Sequence, residues 1–366
     1  MNKKSCIIFI FLSSIILGAL ILKKLRTPSI DISKVPFGSL FTPNMFIMEW
    51  DQEHGWHNQR IEKYHDFSLN PACIALHYGQ EIFEGMKAFA QKDGSICLFR
   101  PEDHFNRMNI SAARMCMPEI DVQQTIKWLK KLILQDKQSM PTQMGTALYI
   151  RPTMIATEST LYLKPSGKYI FFILLSPVGS LHANGFNPIA IWVSDSFTRS
   201  SVGGVGAVKT GGNYAASMLA QQQAKQEGCV QVLWLDPVQR RFVEEVGSMN
   251  IFFVRNDALV TPELTGTILP GITRKSIIEL AKASGMPVIE RRISIDEVIQ
   301  GIKDGSISEI FGTGTAASIT PVGQIKFKGD WHTINDNKTG PIAQKFFNML
   351  QGIQHGIKPS NWIERI

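Results

Sequence analysis

The sequence predicts a mixed α/β (α+β) fold of two domains with a cleft between them. Three observations lead there. The chain has 366 residues, which suits two domains at roughly 150 residues each. Hydrophobic residues make up 44% and charged residues 19%, enough apolar material for large packed cores. That balance rules out a disordered tail, a collagen-like fibre and a small disulfide-stapled module. Strand-like runs and helical patterns alternate on both sides of one stretch rich in turn formers, 176–188, and the interdomain linker is placed there, at 179–188.

The elements follow in order. Residues 1–30 form a hydrophobic N-terminal segment. Cys6 to Leu22 is apolar except for Ser13, Ser14 and Gly18, with lysine pairs on both sides. As a helix it reaches about 25 Å, the short limit for a span. Leu17-Gly18-Ala19 is a poor cleavage site for an export signal. Residues 6–22 are therefore read as a membrane tether, or the segment as an upstream extension outside the folded protein. The smaller first domain, 31–178, should hold a hairpin over 89–100 turning at Asp93-Gly94. Helices follow over 102–115 and 121–136, the second with Asp121 as N-cap, then strands over 147–155 and 169–175. The larger second domain, 189–366, should begin with a strand over 189–193. A helix over 213–227 closed by Gly228 comes next, then a strand over 230–235, a strand-like run over 242–254 and a helix over 272–282.

Charge and cysteine usage exclude other classes. The formal charge is +7, but Lys3, Lys4, Lys23, Lys24 and Arg26 lie in the tail with no acid beside them. The remainder is nearly neutral, which argues against a nucleic-acid footprint. The five cysteines (Cys6, Cys73, Cys97, Cys116, Cys229) form no C-x-x-C and the eight histidines no H-E-x-x-H. No metal site is expected, and unpaired thiols suit a reducing compartment.

The segment Gly203-Gly-Val-Gly-Ala-Val-Lys209-Thr-Gly-Gly-Asn-Tyr214 sets one lysine among five glycines with no acidic neighbour. An amine in apolar surroundings has a lowered pKa and can attack a carbonyl to form a Schiff base; the same segment also fits a flexible surface loop. Val208 replaces the glycine that a Walker A lysine needs, which argues against a P-loop. Gly312-Thr-Gly314-Thr-Ala-Ala317 matches a dinucleotide fingerprint variant and leaves an NAD(P)-dependent oxidoreductase as a remote alternative. Leu269-Pro-Gly271-Ile272-Thr273 precedes a helical pattern and could hold a phosphate on free N–H groups, or be ordinary helix entry. Glu244-Glu245-Val-Gly-Ser248 puts acids in an apolar run, where a carboxylate needs a cationic partner such as a protonated pyridine nitrogen; a surface turn is the other reading. Tyr149 and Arg151 share one strand face and suit an apolar substrate with a carboxylate.

Together with Phe83-Glu-Gly-Met-Lys87, Leu148-Tyr-Ile-Arg-Pro152, Glu245-Val-Gly-Ser-Met-Asn250 and Phe311-Gly-Thr-Gly-Thr-Ala316, these segments resemble branched-chain-amino-acid aminotransferases, which are fold-type IV enzymes using pyridoxal phosphate. The resemblance runs from about Phe41 to Trp362 and implies a cofactor in the interdomain cleft. Lys209 resembles the Schiff-base lysine that also moves the substrate proton, and Glu245 the acid at the pyridine nitrogen. Arg107 and Arg199 correspond to arginines at the phosphate and its surroundings, and Tyr214 to the tyrosine at the ring hydroxyl. Ser248, Ile272, Thr273 and Thr315 correspond to the phosphate cradle. Tyr78, Phe83, Tyr149, Arg151 and Ala316 correspond to the substrate pocket. Leu161 and Leu163 correspond to a loop reaching the neighbouring subunit's site, which implies a homodimer. The mammalian-type C-x-x-C is replaced by Ala317 and Thr320.

The implied activity is reversible amino transfer from L-leucine, L-isoleucine or L-valine to 2-oxoglutarate, in the cytoplasm, where these metabolites and pyridoxal phosphate occur. A D-amino-acid aminotransferase or aminodeoxychorismate-lyase-like enzyme is the alternative within the fold. A tethered binding protein without catalysis is disfavoured by the intact Lys209 and Glu245.

Overall fold

A computed structural model describes residues 32, 35–179 and 186–366 of the chain. The expected tether at 6–22 and most of the expected linker lie outside the described residues. Among the described residues no helix is long and apolar enough to cross a membrane.

The first sheet is built from β1 (Asn44–Asp51), β2 (Gly55–Lys63), β3 (Glu81–Phe83), β4 (Met86–Ala90), β5 (Ile96–Phe99), β6 (Ala147–Ala156) and β7 (Lys168–Val178), with the short helix α1 (Ile74–Tyr78) before β3. The β4–β5 connection turns where expected, with Gly94 at φ 80°. α2 (Pro101–Arg114) starts with proline and carries Glu102 and Asp103 in its first turn; both features favour a helix N-terminus. α3 (Val122–Gln135) is capped by Asp121, whose carboxylate accepts from Gln124 N–H at 2.8 Å. Ile126, Leu129, Leu132 and Ile133 of α3 are buried at the three- and four-residue spacing of one helix face. They join Phe46, Phe105 and Phe171 in the first core, where each full burial contributes roughly 1.5–3 kcal/mol before entropy.

The second sheet holds β8 (Ile189–Val193), β9 (Gln231–Leu235), β10 (Val243–Val246), β11 (Met249–Arg255), β12 (Ala258–Thr261), β13 (Val288–Glu290), β14 (Ile307–Gly314), β15 (Ser318–Phe327) and β16 (Asp330–Thr333). The neighbour order is β10-β9-β8-β15-β14-β11-β12-β13, and β10 pairs with β11 as well. Six strands thus close into a ring, which removes two exposed edges. Helices α4 (Gly211–Ala215), α5 (Met218–Gln226), α6 (Ile272–Ala283), α7 (Ile295–Lys303) and α8 (Pro341–Gln354) complete this half.

Three expectations are revised. The single helix over 213–227 is two helices, α4 and α5. Ser217 bonds Tyr214 O through both its N–H (3.1 Å) and its hydroxyl (2.7 Å), so the ladder tightens to a three-residue step there. The run over 242–254 is a hairpin. Gly247 at φ 58° opens a two-residue turn, and Val246 faces Met249 across it. The chain end does not stay with the second sheet: β17 (Ile363–Arg365) pairs with β5 at the edge of the first. Trp362 anchors it, with the Arg100 guanidinium 4.0 Å from its ring centroid.

The two sheets meet over a shared apolar layer in which Phe89 and Tyr149 pack with Phe252, Phe311 and Phe346. Polar stitches cross the same seam. Phe83 N–H donates to Lys209 O at 3.0 Å, and the Thr210 hydroxyl donates to Glu81 O at 2.7 Å. This seam positions the site.

Candidate active site

Lys209 ends the glycine-rich loop between β8 and α4. The Asn213 amide pins that loop by donating to Val205 O (2.8 Å) and Val208 O (3.0 Å). Gly206 leaves no room for a Cβ, which would lie 2.4 Å from Thr267 O. Lys209 N–H donates to the Ser111 hydroxyl of α2 at 3.0 Å, so the lysine is fixed from both domains. Its Nζ donates to the Tyr214 hydroxyl at 2.7 Å and lies 4.8 Å from the Phe83 ring centroid. Burial, reinforced by the nearby Arg107 charge, pushes the amine down to about 8, while burial pushes the Tyr214 hydroxyl up to about 12. A tyrosine that stays protonated beside an easily deprotonated amine can share one proton with it.

The cavity above Lys209 has a volume of about 500 Å³, within the roughly 300–1,000 Å³ of small-molecule sites. Phe37, Phe83, Tyr149, Arg151 and Ala316 are among its lining residues. Arg151 Nη2 donates to the Tyr149 hydroxyl at 3.0 Å, and its guanidinium lies 4.8 Å from the Phe83 centroid. Phe37 sets its ring edge-on to Tyr149 at 4.8 Å. Arg107, Ser248, Thr273 and Thr315 add polar groups to the lining, with Ile272 beside them. There α6 starts at Gly271 without a side-chain cap and without an acidic residue in its first turn. Such a helix start presents N–H groups and a partial positive charge to an anion.

Arg107 is held by Glu84, which is fully buried and accepts from Arg107 Nε (2.7 Å) and Nη2 (2.9 Å). His104 Nδ1 lies 3.1 Å from the same carboxylate. Burial alone would raise the Glu84 carboxyl, but Arg107 and His104 outweigh it and hold it well below the usual range. The third Arg107 nitrogen donates to Pro270 O at 3.0 Å, tying α2 to the start of α6.

Glu245 does not line the cavity. It lies behind the wall on β10, 2% exposed, accepting from Leu269 N–H at 2.7 Å and from Arg199 Nε at 2.9 Å. Burial raises its pKa against the pull of Arg199. Arg199 sits with it, and its Nη1 donates to Gly206 O and Thr267 O. Tyr78, Leu161 and Leu163 are also outside the cavity. Tyr78 donates to Leu161 O at 2.5 Å, and Leu161 and Leu163 are exposed.

The residues present fit pyridoxal phosphate. The capless start of α6 with Arg107 and three hydroxyls suits a phosphate, and the low-pKa amine suits an aldehyde. Thr313 and Thr320 also line the cavity, and among the described residues their buried hydroxyls have no hydrogen-bond partner. A dinucleotide does not fit. The segment 312–317 ends β14 and turns straight into the antiparallel strand β15, so it opens no helix for a pyrophosphate.

Residues 81–325 match the family model described as amino-transferase class IV. The chain is 48% identical over 331 residues to branched-chain-amino-acid aminotransferase 2 of Bacillus subtilis, covering 90% of this chain and 91% of that one. This chain belongs to the class IV aminotransferases, among the branched-chain-amino-acid enzymes. It is 44% identical to the branched-chain-amino-acid aminotransferase of Mycolicibacterium smegmatis over 90% of this chain and 92% of that one. Its fold matches the crystal structure of the Escherichia coli branched-chain amino acid aminotransferase with a TM-score of 0.74 at 26% identity, covering 88% and 99% of the two chains. The T.th. branched-chain amino acid aminotransferase solved with pyridoxamine 5'-phosphate matches at 0.75 and 25%, covering 89% and 99%.

In this class IV aminotransferase, sequence reasoning missed Phe37, Gly85 and Thr313 on the cavity wall, and noted Thr320 only as replacing a cysteine. The Phe83-Glu-Gly-Met-Lys87 motif carried part of the signal, because Gly85 and Glu84 act with Phe83. A Cβ at Gly85 would lie 2.1 Å from the Tyr149 hydroxyl. Gly85→Ala is therefore expected to displace Tyr149 and lower kcat/KM for leucine by about 10²-fold, the cost of roughly 1 Å of misplacement. Steady-state kinetics with leucine would measure it, and an unchanged kcat/KM would contradict the packing argument.

Proposed function

We infer that the chain is a pyridoxal-phosphate-dependent transaminase that moves the amino group of L-leucine, L-isoleucine or L-valine to 2-oxoglutarate, reversibly. One observation carries this reading: a buried amine of lowered pKa, 2.7 Å from a tyrosine hydroxyl, stands between a phosphate-shaped helix start and a pocket of Phe83, Tyr149 and Arg151. Bound pyridoxal phosphate supplies an aldehyde for the amino group and a ring that accepts the electrons left at the substrate Cα.

The protein supplies the rest. Arg107, Ser248, Ile272, Thr273 and Thr315 would hold the phosphate, and Tyr214 the ring hydroxyl. Glu245, charge-balanced by Arg199, would keep the ring nitrogen protonated. Lys209, once free of the cofactor, takes the proton from the substrate Cα as general base and returns it as acid, a task suited to a pKa near the working pH. Phe37, Phe83 and Tyr149 exclude water from a branched apolar side chain, and Arg151 with Tyr149 offers donors to the carboxylate of 2-oxoglutarate. Ala316 closes the pocket.

The amine gives a pH prediction. In cofactor-free protein, capture of added pyridoxal phosphate should rise with pH and reach half its plateau near 8, because only the neutral amine attacks. Stopped-flow absorbance at graded pH reads this. A midpoint at the ordinary lysine value, above 10, would contradict the proposed environment.

A homodimer is part of this reading, supported by the exposed Leu161, Tyr162 and Leu163 beside Tyr78. Leu161 and Leu163 would then reach the neighbouring subunit's cavity. Catalysis is placed in the cytoplasm, consistent with unpaired Cys73, Cys97, Cys116 and Cys229. A tether through 6–22 would leave chemistry untouched, since each proposed site residue lies beyond it. Deleting 1–30 is expected to change kcat by less than about twofold, within ordinary assay scatter, whereas a loss of activity would place the segment in the fold. The activity itself is tested by amino-acid-dependent glutamate formation from 2-oxoglutarate.

A further inference from the structure

The Phe83-Glu-Gly-Met-Lys87 motif ends on a lysine that the proposed chemistry does not use. Lys87 lies on β4 and is paired in register with Tyr149 on β6. Residues directly opposed on neighbouring strands project from the same sheet face, so Lys87 stands beside Tyr149. Its Nζ crosses the seam between the domains and donates to Ala316 O at 2.7 Å. Ala316 belongs to the turn from β14 into β15, in which Gly314 and Ser318 form the last pair of the ladder.

The surroundings of Lys87 leave no room for a ligand of its own. With His104, Thr273, Thr315 and Gln354 it borders a space of about 10 Å³, enough for no more than about one water. Desolvation at the seam, with no acid opposing it, pushes the Lys87 amine down to about 8. A cation held out of water without an acidic partner is unfavourable, so an apolar side chain would cost less at this place. What the lysine adds is a charged N–H donor on the Ala316 carbonyl. Tyr149 and Ala316 line the same cavity from different domains. The bond therefore ties one wall of that cavity to the other across the seam.

We propose that Lys87 is a positioning residue for substrate selection: by holding Ala316 O it fixes the spacing between the Tyr149 and Ala316 walls, and with it the width offered to the substrate side chain. The inference rests on the transaminase reading above and adds a residue that sets its specificity.

The test is competition between L-leucine and L-phenylalanine for the pyridoxal-phosphate-loaded enzyme, read as the ratio of their kcat/KM values with 2-oxoglutarate. This ratio is independent of the fraction of active enzyme, so a merely destabilised variant leaves it unchanged. Lys87→Met exchanges the ammonium for an unbranched apolar side chain and releases the turn. The wider pocket should favour the larger side chain, and the leucine-to-phenylalanine ratio should fall by at least about tenfold, the scale of a changed pocket dimension. Lys87→Arg keeps charged donors on a long stem and should leave the ratio within about threefold of the wild-type value. Lys87→Gln, whose amide stops one bond short of the lysine Nζ, should lower the ratio as well and serves if the methionine variant does not fold. A wild-type enzyme that forms no glutamate with leucine would remove the transaminase reading and this inference together. An active wild type whose ratio is unchanged in the methionine and glutamine variants, or falls equally in the arginine variant, would overturn this inference alone.

Discussion

Replacing Lys209 by alanine is expected to lower transamination turnover by at least about 10³-fold while leaving the circular dichroism spectrum unchanged. Two losses combine. The chain loses the amine that captures the cofactor aldehyde, and it loses the group that carries the Cα proton. Groups acting as one unit are not additive, so the single change should cost nearly the whole effect. Structure is spared because the lysine is anchored through its backbone, to Ser111 and Phe83, and alanine keeps both bonds. Arg107 and the start of α6 line the cavity, so the variant should still retain some cofactor, held without a covalent link to the chain. Wild-type turnover in this variant would remove Lys209 from the mechanism.

Glu245→Gln should cut kcat by about 10²–10³-fold, or roughly 2.7–4 kcal/mol, as for other single electrostatic partners removed from a preorganised site. The carboxylate is buried and shared between Leu269 N–H and Arg199. An amide can keep the Leu269 bond, but it cannot carry the charge that balances a protonated ring nitrogen. It also leaves the Arg199 guanidinium buried without its counter-ion, which is the costlier half of breaking such a pair. Cofactor retention should therefore fall less than turnover, because the phosphate contacts are untouched. The check is kcat together with the cofactor-to-protein ratio by absorbance. An unchanged kcat at full occupancy would remove Glu245 from the proposed role.

Local chemistry was readable where it acts over a few residues. Asp121 caps α3 through Gln124, Gly94 turns the β4–β5 hairpin, and Lys209 stands out because glycines surround it without an acid. Non-local pairing was not readable. Gly247-Ser248 signalled a turn within the apolar run over 242–254, but nothing there shows that β10 then pairs with both β9 and β11 to close a ring. The return of β17 to β5 depends on Trp362 meeting Arg100 across the molecule. Phe37 was missed for the same reason: its place in the cavity is set by Tyr149, more than a hundred residues away. Glu245 and Arg199 were singled out as cofactor partners, but periodicity could not show that they pair with each other behind the cavity wall.

The most direct measurement follows nitrogen. Purified protein with pyridoxal phosphate, ¹⁵N-labelled L-leucine and 2-oxoglutarate should form ¹⁵N-glutamate and 4-methyl-2-oxopentanoate in equal amounts, and D-leucine should give neither. Labelled glutamate absent from the L-leucine reaction, or arising from D-leucine instead, would contradict the assignment.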